Sequence, residues 1–479
     1  MHFRPWFETG SSMSTVQIIQ PRHMIQPRSI RGRFRNLKTG VMVLAYWVYF
    51  LLPWLRWTRG NGVDQAILFD INQRRYYLFD LVMYPQDVFW LTAFLFLAAV
   101  LLFFITTLLG RVFCGYFCFQ TLWTDAFRWI ERLVQGDQVA RVRLNKAPWG
   151  REKLFKLGLT HVLWLLLAFW TGLTFTLYWA DAPTLVHDFF TGQADVAAYV
   201  TTFLLMATTY LAAAWIREFV CLHICPYSRF QSVMFDRDTL VVAYDYNRGE
   251  GDSGRAKAGK GLRDRAVRRE QGHGDCIDCG LCVQVCPTGI DIRNGLQINC
   301  IHCALCIDAC DSIMERQGWE RGLIRYSSEN ELGGGKTRFF KLRTIGYGMA
   351  TLLAAVYLVW SLGHTVLLEA NAQQVRNPLF VTLSDGAIQN SYEIKINNKT
   401  LTAGRYRLSL QELDQAVLDL GHQESGSLAV EPDSSLRLLA RVKMNAAVAA
   451  GNHDFHFLLE PLTGESREPV LIPAQFIGP

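Results

Sequence analysis

Residues 276–310 read "CIDCGLCVQVCPTGIDIRNGLQINCIHCALCIDAC" and contain eight of the 12 cysteines of the chain. Each half of this stretch has three cysteines with two residues between neighbours, and a fourth cysteine after three more residues. Three such thiolates wrap one iron–sulfur cubane, and the fourth ligand comes from the other motif. The spacing therefore predicts two [4Fe–4S] clusters. The predicted ligands are Cys276, Cys279, Cys282 and Cys310 for cluster A, and Cys300, Cys303, Cys306 and Cys286 for cluster B.

Zinc is the alternative occupant of such a stretch. A structural zinc site takes four ligands, often in two pairs, whereas this stretch offers two triplets and two single cysteines. The first motif ends in Cys286-Pro287, but Asp311 follows the last cysteine of the second motif, whose ligand pattern is complete all the same. The pattern favours a ferredoxin-like module with two clusters and a core over residues 271–316.

The stretch before the module, residues 240–275, is rich in glycine and arginine. Three glycines within 249–254 match the spacing of a dinucleotide-binding fingerprint, but no strand–helix–strand unit fits before Cys276, so we reject that interpretation. The composition predicts a flexible basic linker whose arginines, such as Arg265 and Arg268, lie on an anionic lipid surface. Nucleic-acid binding is not expected, because aromatic residues are not interleaved with the basic ones.

Long apolar blocks dominate the rest of the chain. Of 479 residues, 50% are hydrophobic and 30 are phenylalanine. A spanning helix needs about 20 apolar residues, and tryptophans mark the edges of these blocks as they do in membrane proteins. The runs are too long and too free of charge for core helices of a soluble protein. Five membrane spans are predicted, at about 41–57, 88–109, 157–179, 196–216 and 344–362.

The charges between the spans predict the orientation. Residues 22–38 and the connection 111–156 are basic, whereas 180–195 contains three aspartates and no lysine or arginine. Because basic loops stay in the cytoplasm, the N-terminus and the cysteine module are predicted to be cytoplasmic. The first 40 residues show no signal-peptide pattern. The predicted domains are a basic N-terminus (1–40), four spans (41–216), the linker and cluster module (217–343), a fifth span (344–363) and a periplasmic domain (371–479).

The last segment, 371–479, consists of short stretches that alternate apolar and polar residues. Stretches 391–397 and 453–459 show this alternation, and turn sequences such as Asp385-Gly386 separate them. Several short strands in about a hundred residues predict an antiparallel sandwich. The segment carries no acid–base or metal-binding pattern, so we expect an interaction domain.

Four further cysteines lie in two pairs where apolar blocks end, and we call them the membrane-face quartet. They are Cys114 and Cys118 in "FCGYFC" and Cys221 and Cys225 in "VCLHICP". Residues i and i+4 share one face of a helix, so each pair offers two thiolates to one ion. In the predicted orientation all 12 cysteines lie at the cytoplasmic face, which argues against disulfides. Soft thiolates favour Cu(I), so copper is the preferred occupant. A third cluster and a dithiol relay stay open as alternatives.

Two stretches of the chain resemble the CcoG/FixG/RdxA family, accessory proteins of cbb3-type cytochrome c oxidase. They are "CPYSRFQSVMFDRDTLVVAYDYNRGE" at 225–250, which leads into the cysteine module, and "RNPLFVTLSDGAIQNSYEIKINNKT" at 376–400. The chain departs from the family in "RGEGDSG" at 248–254 and in Arg376-Asn377-Pro378. The resemblance extends from about the first span to the C-terminus.

The resemblance implies a polyferredoxin of the bacterial inner membrane with an immunoglobulin-like periplasmic domain. It implies a cupric reductase that converts Cu(II) to Cu(I) for the oxidase, with oxidase subunits or copper-handling assembly factors as partners. The eight module cysteines then match the cluster ligands of the family, and the quartet matches its membrane-face pairs. Two alternatives stay open: a redox subunit of a quinol-linked or nitrogen-oxide reductase, and an assembly scaffold with structural clusters. The sequence shows no flavin or nicotinamide site, so we expect a partner to supply the electrons.

Overall fold

The computed structural model describes residues 25–58, 64–72, 74–84, 87–259, 262–364, 368–400, 402–413, 415–421, 427–432, 434–445, 448–463 and 468–478. Most of the predicted basic N-terminus, residues 1–24, lies outside the described residues. The chain forms two compact units. The described residues up to 53 and from 89 to 356 make the first unit, and those from 54 to 88 and from 357 onward make the second.

Helices build most of the first unit. In chain order the helices are α1 Arg33–Leu51, α2 Val88–Leu109, α3 Val112–Tyr116, α4 Phe119–Gln135, α5 Gln138–Lys146, α6 Arg151–Leu177, α7 Ala182–Thr191, α8 Val196–Tyr210, α9 Pro226–Val233, α10 Tyr246–Glu250, α11 Arg265–Glu270, α12 Leu281–Gln284, α13 Leu305–Arg316, α14 Glu329–Leu332 and α15 Leu342–Gly363. A 3-10 turn, Leu52–Trp54, continues α1, and another lies at Ile292–Asn294. Two π-helices, Leu211–Ile216 and Val220–Ile224, follow α8.

Within the described residues, five helices are long and apolar enough to cross a membrane. They are α1 with its 3-10 turn, α2, α6, α8 with the π-helix Leu211–Ile216, and α15. Their outer faces carry exposed apolar side chains, such as Phe94 and Leu95 of α2, each 58% exposed. Apolar patches of this extent are stable against lipid rather than water. The five predicted spans are thus confirmed as helices, although the first begins at Arg33 rather than near residue 41.

Helix α4 is amphipathic, and the long apolar runs of the sequence did not predict it. It buries Trp123, Phe127 and Ile130 on one side, in a cluster that includes residues of α6. The Nε1–H group of Trp123 donates to Thr171 of α6 at 3.0 Å. Because α4 begins directly after Cys118, this packing fixes the position of that cysteine.

Short strands complete both units. In chain order they are β1 Ile67–Asp70, β2 Arg75–Leu78, β3 Leu81–Met83, β4 Val241–Tyr244, β5 Ile324–Ser327, β6 Leu368–Gln374, β7 Val381–Thr382, β8 Ile388–Asn398, β9 Gly404–Gln411, β10 Val417–Asp419, β11 Leu428–Val430, β12 Ser434–Met444, β13 Asn452–Thr463 and β14 Val470–Ile477. Strands β4 and β5 pair antiparallel, with Val241 opposite Ser327 and Tyr244 opposite Ile324. The cysteine module lies between these two strands in sequence, so their pairing brings the two ends of the module segment together.

The stretch before the module is ordered, contrary to the expectation of a flexible linker. Arg268 of α11 is only 1% exposed, and its guanidinium donates to the carbonyls of Gly274 and Cys276. Arg265 and Arg248 both bind the carboxylate of Asp275. The prediction that Arg265 and Arg268 lie on a lipid surface is therefore wrong, because these side chains fasten the described part of the stretch to the start of the module.

The second unit contains the predicted sandwich. One sheet has the order β10-β12-β8-β6, with β7 also on β8, and the other has the order β11-β9-β13-β14. Their inner faces meet in a core that includes Ile394 and Ile396 of β8 and Phe455 and Phe457 of β13, each no more than 1% exposed. The hairpin strands β1, β2 and β3 form a small separate sheet of this unit. The all-β prediction for the C-terminal segment is confirmed.

Candidate iron–sulfur and thiol sites

The two cysteine loops of the module share one backbone shape. Asp278 and Gly280 have φ angles of 49° and 66°, and the equivalent His302 and Ala304 have φ angles of 51° and 61°. Each left-handed residue other than glycine costs about 1–3 kcal/mol, and such strain concentrates at functional sites. Each loop then leads directly into a helix, α12 after Gly280 and α13 after Ala304. The internal repeat seen in the sequence is therefore also a repeat in structure.

One cavity lies where the cluster A ligands were predicted. The thiol-bearing residues that line it are Cys276, Cys279, Cys282 and Cys310. Apolar side chains, among them Ile313, Met314 and Leu323, form much of the remaining wall. Cys310 comes from α13, so the fourth thiol of the first loop's site belongs to the second motif.

A second cavity lies where the cluster B ligands were predicted. Cys286, Cys300, Cys303 and Cys306 line it, and Cys282 borders it as well. Val242 of β4 and Ile290 and Ile292 supply apolar wall. Its volume is about 20 Å³, the same as that of the first cavity. Four thiols from both motifs thus surround each of two similar cavities.

The electrostatic neighbours of the thiols follow the same division. Cys310 interacts with Cys282, Cys276 and Cys279, whereas Cys306 interacts most with Cys303, Cys300 and Cys286. Burial raises the pKa of Cys282 to about 12, and burial raises the pKa of Cys300 further. Such thiols become thiolates only when a bound metal supplies positive charge.

The donor set fits an iron–sulfur cluster better than a single ion. Among the described residues, no group of three or more His, Cys, Asp or Glu side chains converges closely enough to hold one metal ion. The cysteines instead stand around cavities, each with a predominantly apolar wall, as a multi-atom inorganic core requires. Two sets of four thiols, each with a member from the other motif, are the arrangement expected for two [4Fe–4S] clusters.

The two pairs of the membrane-face quartet have matching backbone geometry. The N–H of Cys118 donates to the carbonyl of Phe113 at 3.0 Å, and the N–H of Cys225 donates to Val220 at 2.8 Å. Both are i to i−5 bonds, as in a π-helix. Cys118 and Cys225 are extended residues that immediately precede α4 and α9. The prediction that each pair lies on one regular helix face is therefore wrong, because a π-turn separates the members of each pair.

The quartet nevertheless comes together in space. All four cysteines are partly buried. Burial raises the pKa of Cys114 to about 12, with the Cys118 thiol as the next cause and Cys221 and Cys225 as smaller ones. The thiols are therefore electrostatic neighbours, although they do not form a ready-made site of three or more ligands.

The quartet also packs against the cluster B loop. A Cβ atom on Gly115 would lie 2.7 Å from the carbonyl oxygen of Ile301 and 3.0 Å from Cα of Cys303, so only glycine allows this approach. The hydroxyl of Tyr116 donates to the carbonyl of Cys303 at 3.1 Å. Cys114 packs beside Ile301 and Cys303 in one apolar cluster. The short segment that carries Cys114 thus touches the loop that carries two predicted cluster ligands.

A buried ion-pair network lies beside Cys221. Glu131 of α4 binds Arg141 at 2.8 Å and also pairs with Arg217. Arg217 has a φ angle of 47° and lies between the two π-helices. Left-handed non-glycine residues and π-turns both concentrate at functional sites. The network therefore stabilises an irregular chain path next to the quartet.

Several residues of the site were not indicated by the sequence. Gln231, which is 0% exposed, accepts a hydrogen bond of 3.3 Å from the thiol of Cys114. Gln231 is the last residue of the stretch Cys-Pro-Tyr-x-Arg-Phe-Gln, which carries part of the family resemblance. Arg111 precedes the first cysteine pair and Tyr116 lies between its members, but their roles depend on contacts about 190 residues away along the chain. No local pattern reveals such contacts.

Three family models match the chain. A "4Fe-4S binding domain" matches residues 90–135, which include Cys114 and Cys118. A "4Fe-4S dicluster domain" matches residues 216–329, which include the other ten cysteines. An "IG-like fold at C-terminal of FixG" matches residues 358–479.

Three relatives match over most of their length. Protein RdxA of Cereibacter sphaeroides is 42% identical in an alignment that covers 81% of this chain and 82% of RdxA. Protein RdxB of the same organism is 41% identical in an alignment that covers 86% of this chain and 87% of RdxB. Nitrogen fixation protein FixG of Rhizobium meliloti is 35% identical over 94% of this chain and 92% of its own. A solved FixG-related protein from Vibrio parahaemolyticus is 20% identical over 24% of this chain and 98% of its own, with a TM-score of 0.21.

The fold and the sites define a membrane-type iron–sulfur electron-transfer protein with 4Fe–4S domains and a C-terminal immunoglobulin-like domain. The chain belongs to the FixG/RdxA family.

Proposed function

We propose that this electron-transfer protein reduces Cu(II) to Cu(I) for the assembly of cbb3-type cytochrome c oxidase. The observation that carries the proposal is the contact of Gly115 and Tyr116 with the Ile301–Cys303 backbone. It brings a thiol pair that suits copper next to thiols that suit an iron–sulfur cluster. A reductase for a metal ion needs such a binding site beside an electron source.

The module cysteines are proposed as cluster ligands, and each cluster takes its fourth ligand from the other motif. Cys276, Cys279, Cys282 and Cys310 hold cluster A, and Cys300, Cys303, Cys306 and Cys286 hold cluster B. When bound, such clusters supply electrons one at a time at potentials set by their surroundings. Val242 of β4 and other apolar side chains cover the buried thiols of Cys300 and Cys303.

The membrane-face quartet is proposed as the copper site. Cys114, Cys118, Cys221 and Cys225 offer soft ligands that favour Cu(I) over Cu(II), so binding itself makes reduction easier. The amide oxygen of Gln231 accepts a hydrogen bond from the thiol of Cys114. Each Cu(II) ion would take one electron from a reduced cluster and become Cu(I), and each thiol that binds the ion would release its proton to solvent.

The proposed orientation follows from the loop charges. The N-terminus, the quartet and the module lie on the cytoplasmic side of the bacterial inner membrane, and the sandwich lies in the periplasm. The proposed domain limits are those of the sequence: 1–40, 41–216, 217–343, 344–363 and 371–479. The proposed partners are lipid, oxidase subunits or copper-handling factors, and a separate electron donor.

A second candidate function is electron relay to another redox enzyme, such as a quinol-linked or nitrogen-oxide reductase. The match of residues 90–135 to a 4Fe–4S binding domain favours it, because that segment contains Cys114 and Cys118. In that case the quartet holds a further cluster or forms a dithiol relay. The two candidates make different predictions for the iron content of quartet variants.

The test uses the purified full-length protein, loaded with iron and sulfide and reduced without oxygen. Cu(II) is added together with a chelator that absorbs only when it binds Cu(I). The copper proposal predicts Cu(I) formation, which is lost in a Cys114→Ala, Cys221→Ala variant whose iron content stays at about eight per chain. A drop in iron in that variant supports a further cluster instead. Clusters that reduce normally but form no Cu(I) contradict the proposal, and clusters that cannot be reduced indicate a scaffold.

A further inference from the structure

Arg111 lies between the two sets of thiols. It is separated from the end of α2 by Gly110 and is 4% exposed. Its backbone N–H donates to Nδ1 of His302 at 3.0 Å, so it touches the cluster B loop. The charge of its guanidinium acts on Cys300 and, on the other side, on Cys114, Cys221 and Cys225.

The guanidinium of Arg111 is only partly satisfied. Its Nη1 donates to the carbonyl of Ile298, two residues before Cys300. Its Nε and Nη2 are buried and have no hydrogen-bond partner among the described residues. His302, which accepts a hydrogen bond from the backbone N–H of Arg111, cannot offset the charge, because an imidazole carries no negative charge. A buried cation without a counter-ion is unfavourable unless negative charge lies nearby, and the groups around Arg111 that can supply it are thiolates.

The arginine beside cluster A has a different environment. Arg293 lines the first cavity, but its guanidinium binds Asp291 at 2.7 Å and Asp278 at 2.5 Å. Two carboxylates therefore offset its charge. A second arginine, Arg268, also approaches this site, since it donates to the carbonyl of Cys276 at 3.0 Å.

We propose that Arg111 raises the reduction potential of cluster B by placing an uncompensated positive charge between that site and the membrane-face quartet. Added negative charge is stabilised by a fixed positive charge in a medium of low dielectric constant. An electron is therefore held more favourably at the cluster B site with Arg111 than it would be without this charge. This is the site whose loop contacts α3. Only one electron moves, and no bond forms or breaks.

This inference rests on the ligand assignment proposed above but not on copper, so its test contains no copper. The full-length protein is titrated with a reductant, and the two reduction steps are followed by electron paramagnetic resonance. A Cys279→Ser variant, which alters only the proposed cluster A, assigns the steps. Arg111→Gln is expected to make reduction of cluster B at least tenfold less favourable, about 59 mV for one electron. The cluster A step stays in place. Arg111→Lys, which keeps the charge, is expected to shift the cluster B step much less.

An unchanged cluster B step in Arg111→Gln with full iron content would overturn the inference. Equal shifts in the lysine and glutamine variants would also overturn it, since they would indicate an effect of shape rather than charge. If Arg111→Gln and Arg111→Met both fail to hold iron while Arg111→Lys holds it, the charge is needed by the cluster thiolates and the inference stands. If Arg111→Lys fails as well, the role is structural and the inference is wrong. The expected potential shift, in a protein that forms no Cu(I) in the separate copper assay, would reject the copper proposal alone.

Discussion

The hydroxyl of Tyr116 donates a hydrogen bond of 3.1 Å to the backbone carbonyl of Cys303. Tyr116 comes two residues after Cys114, a member of the membrane-face quartet, and Cys303 is a proposed ligand of cluster B. One bond therefore joins the segment proposed to hold copper to the loop proposed to hold the nearer cluster. The proposed electron path from cluster B to copper depends on this contact, so the contact is the first to test.

Tyr116→Phe removes this bond and leaves the carbonyl of Cys303 without its donor. We expect a loss of about 1 kcal/mol in unfolding free energy and a slower reduction of Cu(II). Tyr178→Phe is the matched control, because the Tyr178 hydroxyl donates to the carbonyl of Tyr49 at 3.0 Å, away from the thiols. Stability is measured by thermal unfolding in detergent. Equal copper-reduction rates in the two variants would show that the Tyr116 bond does not serve the site.

Gly115→Ala places a Cβ atom 2.7 Å from the carbonyl oxygen of Ile301, which is backbone and cannot move freely. Overpacking of this kind costs about 1–3 kcal/mol. We expect the quartet segment to move away from the cluster B loop, with a lower copper-reduction rate and altered cluster B spectra. Gly158→Ala in α6 is the control, since a Cβ there meets nothing within 4 Å and alanine favours a helix. A Gly115→Ala protein indistinguishable from the control would contradict the packing.

If each cluster takes its fourth ligand from the other motif, the last cysteine of each motif serves the cluster of the other loop. Cys310→Ala is expected to impair the cluster of the first loop, because Cys310 lines the cavity of Cys276, Cys279 and Cys282. Cys286→Ala is expected to impair the cluster of the second loop. Paramagnetic resonance of each variant identifies the signal that is lost. Loss of the opposite signal in each case would indicate that each motif supplies all four of its own ligands.

Acid should weaken the anchor at the start of α15. Lys341 binds Asp236 and Asp238 at 2.7 and 2.8 Å. Burial opposes ionisation of both carboxyls, but hydrogen bonds from Lys341 and other donors outweigh it and hold their pKa values below the usual range. A depressed carboxyl pKa stabilises the folded state above the unfolded pKa of about 3.9, and this stabilisation is lost as pH falls through the folded pKa.

Lys341→Met therefore should destabilise the protein at neutral pH, and the difference from the unaltered protein should shrink below about pH 4. Thermal unfolding in detergent over a range of pH measures this difference. Lys336→Met, for which no ion pair is found among the described residues, serves as the control. A difference that stays constant down to the lowest pH would show that the Lys341 contacts do not act through carboxylate charge.

The sequence predicted the elements whose signal is local. Long apolar runs predicted the spans, and cysteine spacing predicted the two four-thiol cavities. It did not predict α4, because Asp125 and Glu131 interrupt its apolar face and only its packing shows that they are buried in ion pairs. The order around Arg268 was missed for a similar reason, since its partners are backbone carbonyls that composition does not reveal.

The local sequence also could not predict the helix break inside each pair of the membrane-face quartet. Cysteines four residues apart fit a regular helix face equally well, and only the bonds from Cys118 to Phe113 and from Cys225 to Val220 reveal π-turns. Gly115 could be recognised as unusual between two cysteines. Its reason, the approach of Ile301, depends on a contact between distant parts of the chain.

The most direct test of the central claim counts Cu(I) formed in a single turnover. The protein is reduced, freed of excess reductant and mixed with Cu(II) and a Cu(I) chelator without oxygen. With two clusters that each give one electron, we predict about two Cu(I) per chain. Oxidation of the clusters should keep pace with Cu(I) formation. This rapid cluster oxidation should be lost in the Cys114→Ala, Cys221→Ala variant. Cluster oxidation that is equally fast in that variant would contradict the claim that the membrane-face quartet is where this protein reduces copper.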